Sequence, residues 1–300
     1  MEPNRISVVL TVFNGEKYLS ETLSCLKKNR RDIDQIIVVE DAGTDGSKKI
    51  LESYSELFDV LIFHEKNRGS AQSRMDGIAC SNCEWVHILD QDDLIAEGFF
   101  SHARNLFSES DIVFSEVRIM NMEANCIYRG ADIFKHALDV ENLLFHGSPL
   151  STPSQVLFRR KFFQGISLKS QFLGSEDFDL WLRILAKKPR QSLLQGFPVF
   201  WRWHQTNAST RFLVNPEFQL GVIRGFIRDF PEYASLRKRA EAVVMTYAAV
   251  LRKKIGRPWL KLFLHAVERS PTVLFSRTTL NLLTPKWVRW LAMKFIFRKR

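Results

Sequence analysis

Apolar and polar positions fall into blocks along the first hundred residues, and the blocks switch period in a regular way. Residues 6–13 (ISVVLTVF) are nearly all apolar and rich in β-branched side chains, the pattern of a strand buried on both faces. Asn14-Gly15 ends the run, and Tyr18, Leu19, Thr22, Leu23 and Leu26 then recur at helical spacing as far as Lys27-Lys28. A second apolar run, residues 36–39, leads at once into Glu40-Asp41-Ala42-Gly43-Thr44-Asp45-Gly46-Ser47, an acidic turn with glycines, and then a helix from 48 to about 57. A third strand over 60–63 is broken by Asn67-Arg68-Gly69, and residues 71–79 read as a helix. The fourth strand, residues 86–89, runs straight into Asp90-Gln91-Asp92-Asp93. Strand–helix alternation of this kind predicts a parallel sheet with helices on both faces, whose ligands sit beyond the carboxyl ends of the strands. Every polar cluster named above falls at such an end.

The pattern thins after Asp93. Residues 111–117 and 154–158 read as further strands, with mixed turn and helix signals over 120–150. Glu176-Asp177-Phe178-Asp179-Leu180-Trp181 opens a helix with an acidic first turn and with Leu180, Trp181, Ile184 and Leu185 on its buried side. Residues 199–204 (VFWRWH) follow, with Asn207 and Ser209 after them. Beyond about 215 the chain reads as helices broken by Pro231, Pro258, Pro271 and Pro285.

Composition changes this picture in three places. A hydrophobic fraction of 45% supports a sizeable core. Cys25, Cys80, Cys83 and Cys126 are unevenly spaced, and the lone Cys80-x-x-Cys83 lacks the second pair that a zinc site needs, so neither a disulfide framework nor a structural zinc is expected. The net charge of +10 is concentrated, because residues 251–300 alone carry +12. The opening residues carry no secretory pattern and no apolar run is long enough to span a bilayer, so a reducing, cytoplasmic setting is expected.

Three carboxylates within four residues repel one another unless a cation compensates them. Mg²⁺ and Mn²⁺ prefer oxygen ligands, and Mg²⁺ often takes one or two protein carboxylates together with substrate phosphates. Asp90, Asp92 and Asp93 therefore read as a metal–diphosphate site, the plainer alternative being a solvated acidic turn.

Six clusters in fixed order over roughly residues 5–210 resemble the inverting family 2 glycosyltransferases. They are Phe13-Asn14 with Tyr18-Leu19; residues 39–47 against "VDDGSTDGS"; Asn67-Arg68-Gly69 through Arg74 to Gly77-Ile78; Leu89-Asp90-Gln91-Asp92-Asp93 against "LDxDD"; Glu176-Asp177-x-Asp179-Leu180-Trp181 against "ED-x-DLW"; and Arg202-Trp203-His204 with Asn207 and Ser209. The resemblance implies the GT-A fold, a Rossmann-like, mostly parallel sheet with flanking helices. A catalytic domain over 1–212 would divide near 95 into donor- and acceptor-binding parts, and a basic helical region would fill 213–300. Thr11 stands where the family often has Pro, Glu40 where it has Asp, and Ala42-Gly43 in place of Gly-Ser, which leaves the base and sugar open.

The same resemblance implies roles. Thr11, Phe13, Asn14, Glu40, Asp41, Asn67, Gly69, Arg74, Asp90 and Gln91 would line the nucleotide-sugar donor, with Asp41 accepting from the base. Asp92, Asp93 and His204 would hold the divalent metal. Asp177 would be the general base of a single inverting displacement, with Glu176 and Trp181 beside the acceptor or supporting it. Against these stand a helix cap for Asp41, a structural ion pair for Arg74 and a packed core side chain for His204. The acceptor is expected to be a saccharide or lipid-linked hydroxyl in surface polysaccharide or lipopolysaccharide synthesis. Trp287, Trp290, Phe295 and Phe297 beside Arg298-Lys299-Arg300 suit an anionic membrane surface. The alternative is a helical appendage packed on the catalytic domain or on a second copy of the chain. No nucleic-acid motif accompanies the charge, so no nucleic-acid partner is expected. A non-catalytic nucleotide- or glycan-binding homologue is the second functional reading. A nucleotidyltransferase would need a basic glycine-rich loop where Phe13-Asn14-Gly15-Glu16-Lys17 stands.

Overall fold

A computed structural model describes residues 4–121, 126–129, 138–146, 150–166, 175–203, 216–276 and 279. His204, Asn207, Ser209, Pro285 and the aromatic and basic residues from 287 to 300 lie outside them. The chain divides into two compact units. One comprises Met1–Leu143, Ser148–Gln171 and Glu176–Thr206; the other comprises Leu144–Gly147, Phe172–Ser175 and Asn207–Arg300.

In the first unit, β1 (Ile6–Val12), β2 (Gln35–Glu40), β3 (Val60–Phe63) and β4 (Trp85–Asp90) are all parallel, in the order β3-β2-β1-β4. Their connections are α1 (Glu16–Asn29), α2 (Ser47–Ser53) and α3 (Ser70–Ala79), which leaves β1 and β2 covered on both faces. Ile6, Val8, Val9, Leu10, Ile36, Ile37, Val38 and Val39 are all fully buried, as their unbroken apolar runs require. Gly77 on α3 faces Val9, where a Cβ would collide with the valine methyl, so its lack of a side chain lets this helix lie close on the sheet.

Beyond β4 the sheet continues through mixed pairing. After the short β5 (Leu94–Ile95) and α4 (Phe99–Arg104) come β6 (Ile112–Met120), β7 (Cys126–Arg129), α5 (Val140–His146), β8 (Val156–Arg159), α6 (Glu176–Ala186) and β9 (Gln191–Arg202). β8 lies antiparallel between β4 and β6, β6 runs parallel to β9, and β5 pairs with the far end of β9. The fold is the expected parallel α/β sheet with flanking helices, extended by this mixed half. His87 marks the join. Burial against Phe99 and Phe100 pushes its imidazole down to about 3, so the ring is neutral and its Nδ1 lies 3.2 Å from the Val156 carbonyl oxygen.

The second unit contains α7 (Glu217–Asp229), α8 (Arg237–Lys254) and α9 (Leu260–Arg269). Pro231 and Pro271 each open a 3-10 turn, and Pro258 lies between α8 and α9, where a missing backbone N–H costs least. No helix among the described residues is long and apolar enough to cross a membrane.

Candidate active site

The carboxyl ends of β1, β2 and β4 bring three polar turns together, and much of what the sequence assigns to a ligand is used to tie these turns to one another. Gln91 clamps β4 to β1, because Phe13 N–H donates to its Oε1 (2.8 Å) and its Nε2 donates to the Phe13 carbonyl (2.9 Å). Asn14, in a left-handed conformation at φ 49°, accepts from Thr44 N–H through Oδ1 at 2.7 Å. Glu40 is buried and accepts from Gly43 N–H at 2.6 Å. A Cβ on residue 43 would come within 2.8 Å of that carboxylate oxygen, so the longer acid at 40 and the glycine at 43 form one arrangement. Phe13 is 44% exposed at the mouth, and Thr11 lies opposite Asp90 in the β1–β4 register.

Asp41 is buried and faces protein donors. Its Oδ1 takes His64 Nδ1 (2.7 Å) and Arg68 N–H (2.8 Å), and its Oδ2 takes Gly69 N–H (2.8 Å). The expected contact with a base thus meets a carboxylate that already accepts three hydrogen bonds, and the visible work of Asp41 is to shape the 64–69 segment. Asn67 accepts from the same Gly69 N–H at 3.1 Å, and Gly69 takes φ 84°, open to glycine and strained for other residues.

The acidic turn is pinned from three sides. Thr22 Oγ1 on α1 donates toward the carbonyls of Gln91 (2.8 Å) and Asp93 (3.1 Å). Arg202, fully buried at the end of β9, donates from Nε to the Asp92 carbonyl (3.1 Å) and from Nη2 to Glu21 (2.7 Å), with its guanidinium 4.5 Å from the Tyr18 ring centroid. Asp93 itself points inward. Its Oδ2 accepts from Thr152 Oγ1 (2.6 Å) and Ser154 Oγ (2.7 Å), and its Oδ1 from Arg202 N–H (3.2 Å). Burial, reinforced by the Asp92 and Asp90 charges, pushes this carboxyl well above the ordinary range. Asp93, expected from the sequence beside the metal, here anchors the 152–154 turn and β9. Thr152 and Ser154 were not singled out in the sequence; the signal that could have found them is the capping box Thr152-Pro153-Ser154-Gln155.

Asp92 and Asp90 remain at the surface of the turn, each half-buried. No group of three or more His, Cys, Asp or Glu side chains among the described residues is arranged to hold a metal by itself. A half-exposed pair of carboxylates nevertheless suits a hard cation that takes one or two protein oxygens and fills its shell with phosphates and water. His204, the remaining predicted ligand, lies outside the described residues.

Arg74 gathers the other acids. It is buried on α3, and its Nη2 donates to Asp90 Oδ1 at 2.8 Å. Burial alone would lower its guanidinium, but the charges of Asp90, Glu176 and Asp177 outweigh that and raise it. Glu176 is buried and accepts from Ser70 Oγ at 3.0 Å, joining the first turns of α3 and α6. Asp177 is half-buried and accepts from Phe178 N–H at 2.9 Å. Burial raises its carboxyl to about 6; Arg74 pulls against this, and Glu176 and Asp90 add to it. Trp181 is 2% exposed, so it supports α6 from inside and does not present its ring to a ligand.

Residues 7–166 match the family model "Glycosyl transferase family 2". A glycosyltransferase of Methanocaldococcus jannaschii is 24% identical over 67% of this chain and 72% of its own length. Across the first curated relatives, the match spans from 33% to 72% of the relative. Among solved structures, Staphylococcus aureus TarS in complex with UDP-GlcNAc superimposes with a TM-score of 0.61 at 19% identity, over 95% of this chain and 77% of that one. A mannosyltransferase from Pyrobaculum calidifontis in complex with GDP-Man and Mn²⁺ gives 0.58 at 15% identity, over 99% and 88%. These likenesses show the GT-A fold. With a family match across more than half its length, the chain belongs to glycosyl transferase family 2.

Proposed function

We propose that the protein moves a sugar from a nucleotide-sugar donor to a hydroxyl of a saccharide or lipid-linked acceptor, with inversion at the anomeric carbon, in the synthesis of a cell-surface glycan. The observation that carries this reading is Asp177, a carboxylate raised to about 6 at the strand-end site and held beside Arg74. A general base works best when its pKa lies near the working pH, since it is then mostly ionised yet still basic enough to take a proton.

In this reading Asp177 accepts the acceptor hydroxyl proton as that oxygen bonds to the anomeric carbon. The bond from that carbon to the diphosphate breaks on the opposite face, and the diphosphate leaves with the electron pair. No covalent sugar–enzyme intermediate forms. Arg74 keeps Asp177 ionised at neutral pH and ties Asp90 to α3. Asp92 and Asp90 would hold a divalent cation, which when bound supplies Lewis-acid neutralisation of the leaving diphosphate. The Mn²⁺ complex of the mannosyltransferase and the nucleotide sugars bound to both structural relatives support the donor class. The basic C-terminal region would bring the enzyme to an anionic membrane surface.

Two measurements test this. Calorimetric titration with UDP, GDP and dTDP, with and without Mn²⁺, should give metal-dependent binding of one of them that Asp92→Asn abolishes. Asp177→Asn should lower turnover by about 10²–10⁴-fold, the range for loss of a general base, while sparing that binding. Normal turnover by folded Asp177→Asn would remove Asp177 from the role.

A further inference from the structure

The second unit has a polar centre that sugar transfer does not use. Glu241, on α8, is 1% exposed and accepts from three arginines on three different helices. Arg224 Nε on α7 donates at 3.1 Å, Arg237 Nε on α8 at 3.1 Å and Arg269 Nη1 at the end of α9 at 2.6 Å. The arginine side chains are 41%, 51% and 40% exposed, so the carboxylate is inside and the guanidiniums reach solvent.

One carboxylate neutralises one of three cations, and no second carboxylate among the described residues pairs with these arginines. Residues 216–276 carry eleven Lys and Arg against five Asp and Glu. Each guanidinium is a rigid fork of several N–H donors, and only one nitrogen of each is spent on Glu241, which leaves the others without a protein acceptor among the described residues. Such forks fit phosphate oxygens in pairs. Because the three come from separate helices and share one buried acceptor, the helical fold sets their spacing before any anion arrives. Three donors lie within the roughly four acceptor sites of one carboxylate, but they leave the hub with positive charge directed outward.

We propose that Arg224, Arg237 and Arg269, aligned by Glu241, form a binding site for a phosphate group. The shared chemistry has two sources, a soluble or polymeric phosphate and the headgroup of an anionic lipid. The site is independent of the transfer reading, and Asp92 and Asp177 play no part in it.

The test uses the full chain in EDTA, so that metal-dependent donor binding is silent. One arm titrates tripolyphosphate by calorimetry. The other measures co-sedimentation with phosphatidylglycerol vesicles against phosphatidylcholine vesicles. The proteins compared are wild type, the Arg224→Gln/Arg237→Gln double variant, in which Arg269 still holds Glu241, and Arg224→Gln alone in case the double variant unfolds. Wild type should bind in at least one arm, with binding about tenfold or more weaker in the double variant and reduced in the single. Loss in the tripolyphosphate arm identifies soluble phosphate as the ligand, and loss confined to the phosphatidylglycerol arm identifies the lipid headgroup. Equal binding by wild type and variants in both arms, or none by wild type in either, overturns the proposal.

Discussion

Arg74 sits among Asp90, Glu176 and Asp177, whereas Glu241 sits among Arg224, Arg237 and Arg269, so the two clusters are near mirror images in charge. Burial pushes the carboxyl upward in both. At Asp177 one arginine and one backbone N–H are too little to resist burial and two like charges, and the group rises to about 6. At Glu241 burial also raises, but hydrogen bonds from Arg237 and Arg224 and the charge of Arg269 outweigh it and hold the carboxyl below its ordinary value. The difference teaches that burial alone does not decide what a buried acid can do. An acid short of cations is a proton acceptor near neutral pH, and one rich in them is a permanent anion that organises positive charge.

The sharpest way to break this contrast is to remove the central charge of the first cluster. Arg74→Gln should cost about 3–5 kcal/mol in urea unfolding, because a buried cation that balances several acids is lost. In any protein that still folds, the acid limb of the pH–rate profile should move to higher pH, since Arg74 holds the Asp177 value down. An unmoved limb would mean that Asp177 is not the titrating base. Thr152→Val combined with Ser154→Ala should cost about 1–3 kcal/mol by stranding Oδ2 of buried Asp93, which accepts from both hydroxyls. A cost near zero would show that Asp93 is solvated and available to a metal after all. Glu241→Gln should cost less, about 1–2 kcal/mol, because its half-exposed arginines regain water.

Acidification should separate the clusters most finely. A carboxyl raised in the folded state binds its proton more tightly folded than unfolded. Asp177 therefore adds stability as pH falls from about 6 towards the ordinary 3.8. A lowered carboxyl does the reverse: the contribution of Glu241 is complete above the ordinary value of 4.5 and is lost as pH falls through the folded one. Urea midpoints taken from pH 7 to pH 3.5 should show the stability difference between wild type and Asp177→Asn beginning to vary near pH 6 and continuing towards 3.8. The difference for Glu241→Gln should stay constant down to about pH 4.5, vary only below it, and run in the opposite direction. The same pH dependence for both variants would dissolve the contrast.

The parallel half was legible because its information is local. Unbroken apolar runs such as Ile36–Val39 can only be buried on both faces, and helical spacing from Tyr18 to Leu26 leaves one way to cover them. The mixed half was harder to read, since β8 reaches its place between β4 and β6 through pairing that skips along the chain. Glu40, Asn14 and Gln91 were recognisable as strand-end residues, but nothing local indicates that they bond to one another's turns. The Glu241 hub was invisible for the same reason: Arg224 and Arg269 are 17 and 28 positions away on other helices.

By itself the sequence determined the alternating α/β plan, the placing of Asp90, Asp92 and Asp93 beyond a strand end, and the acidic start of α6, all of which follow from periodicity over a few residues. Only the tertiary structure decided which of three neighbouring acids turns inward. Asp93 does so because Thr152, Ser154 and Arg202 meet it from 59, 61 and 109 positions away. Such partners are chosen by chain closure and not by local pattern, so adjacent carboxylates that read alike in sequence acquire different environments and different chemistry.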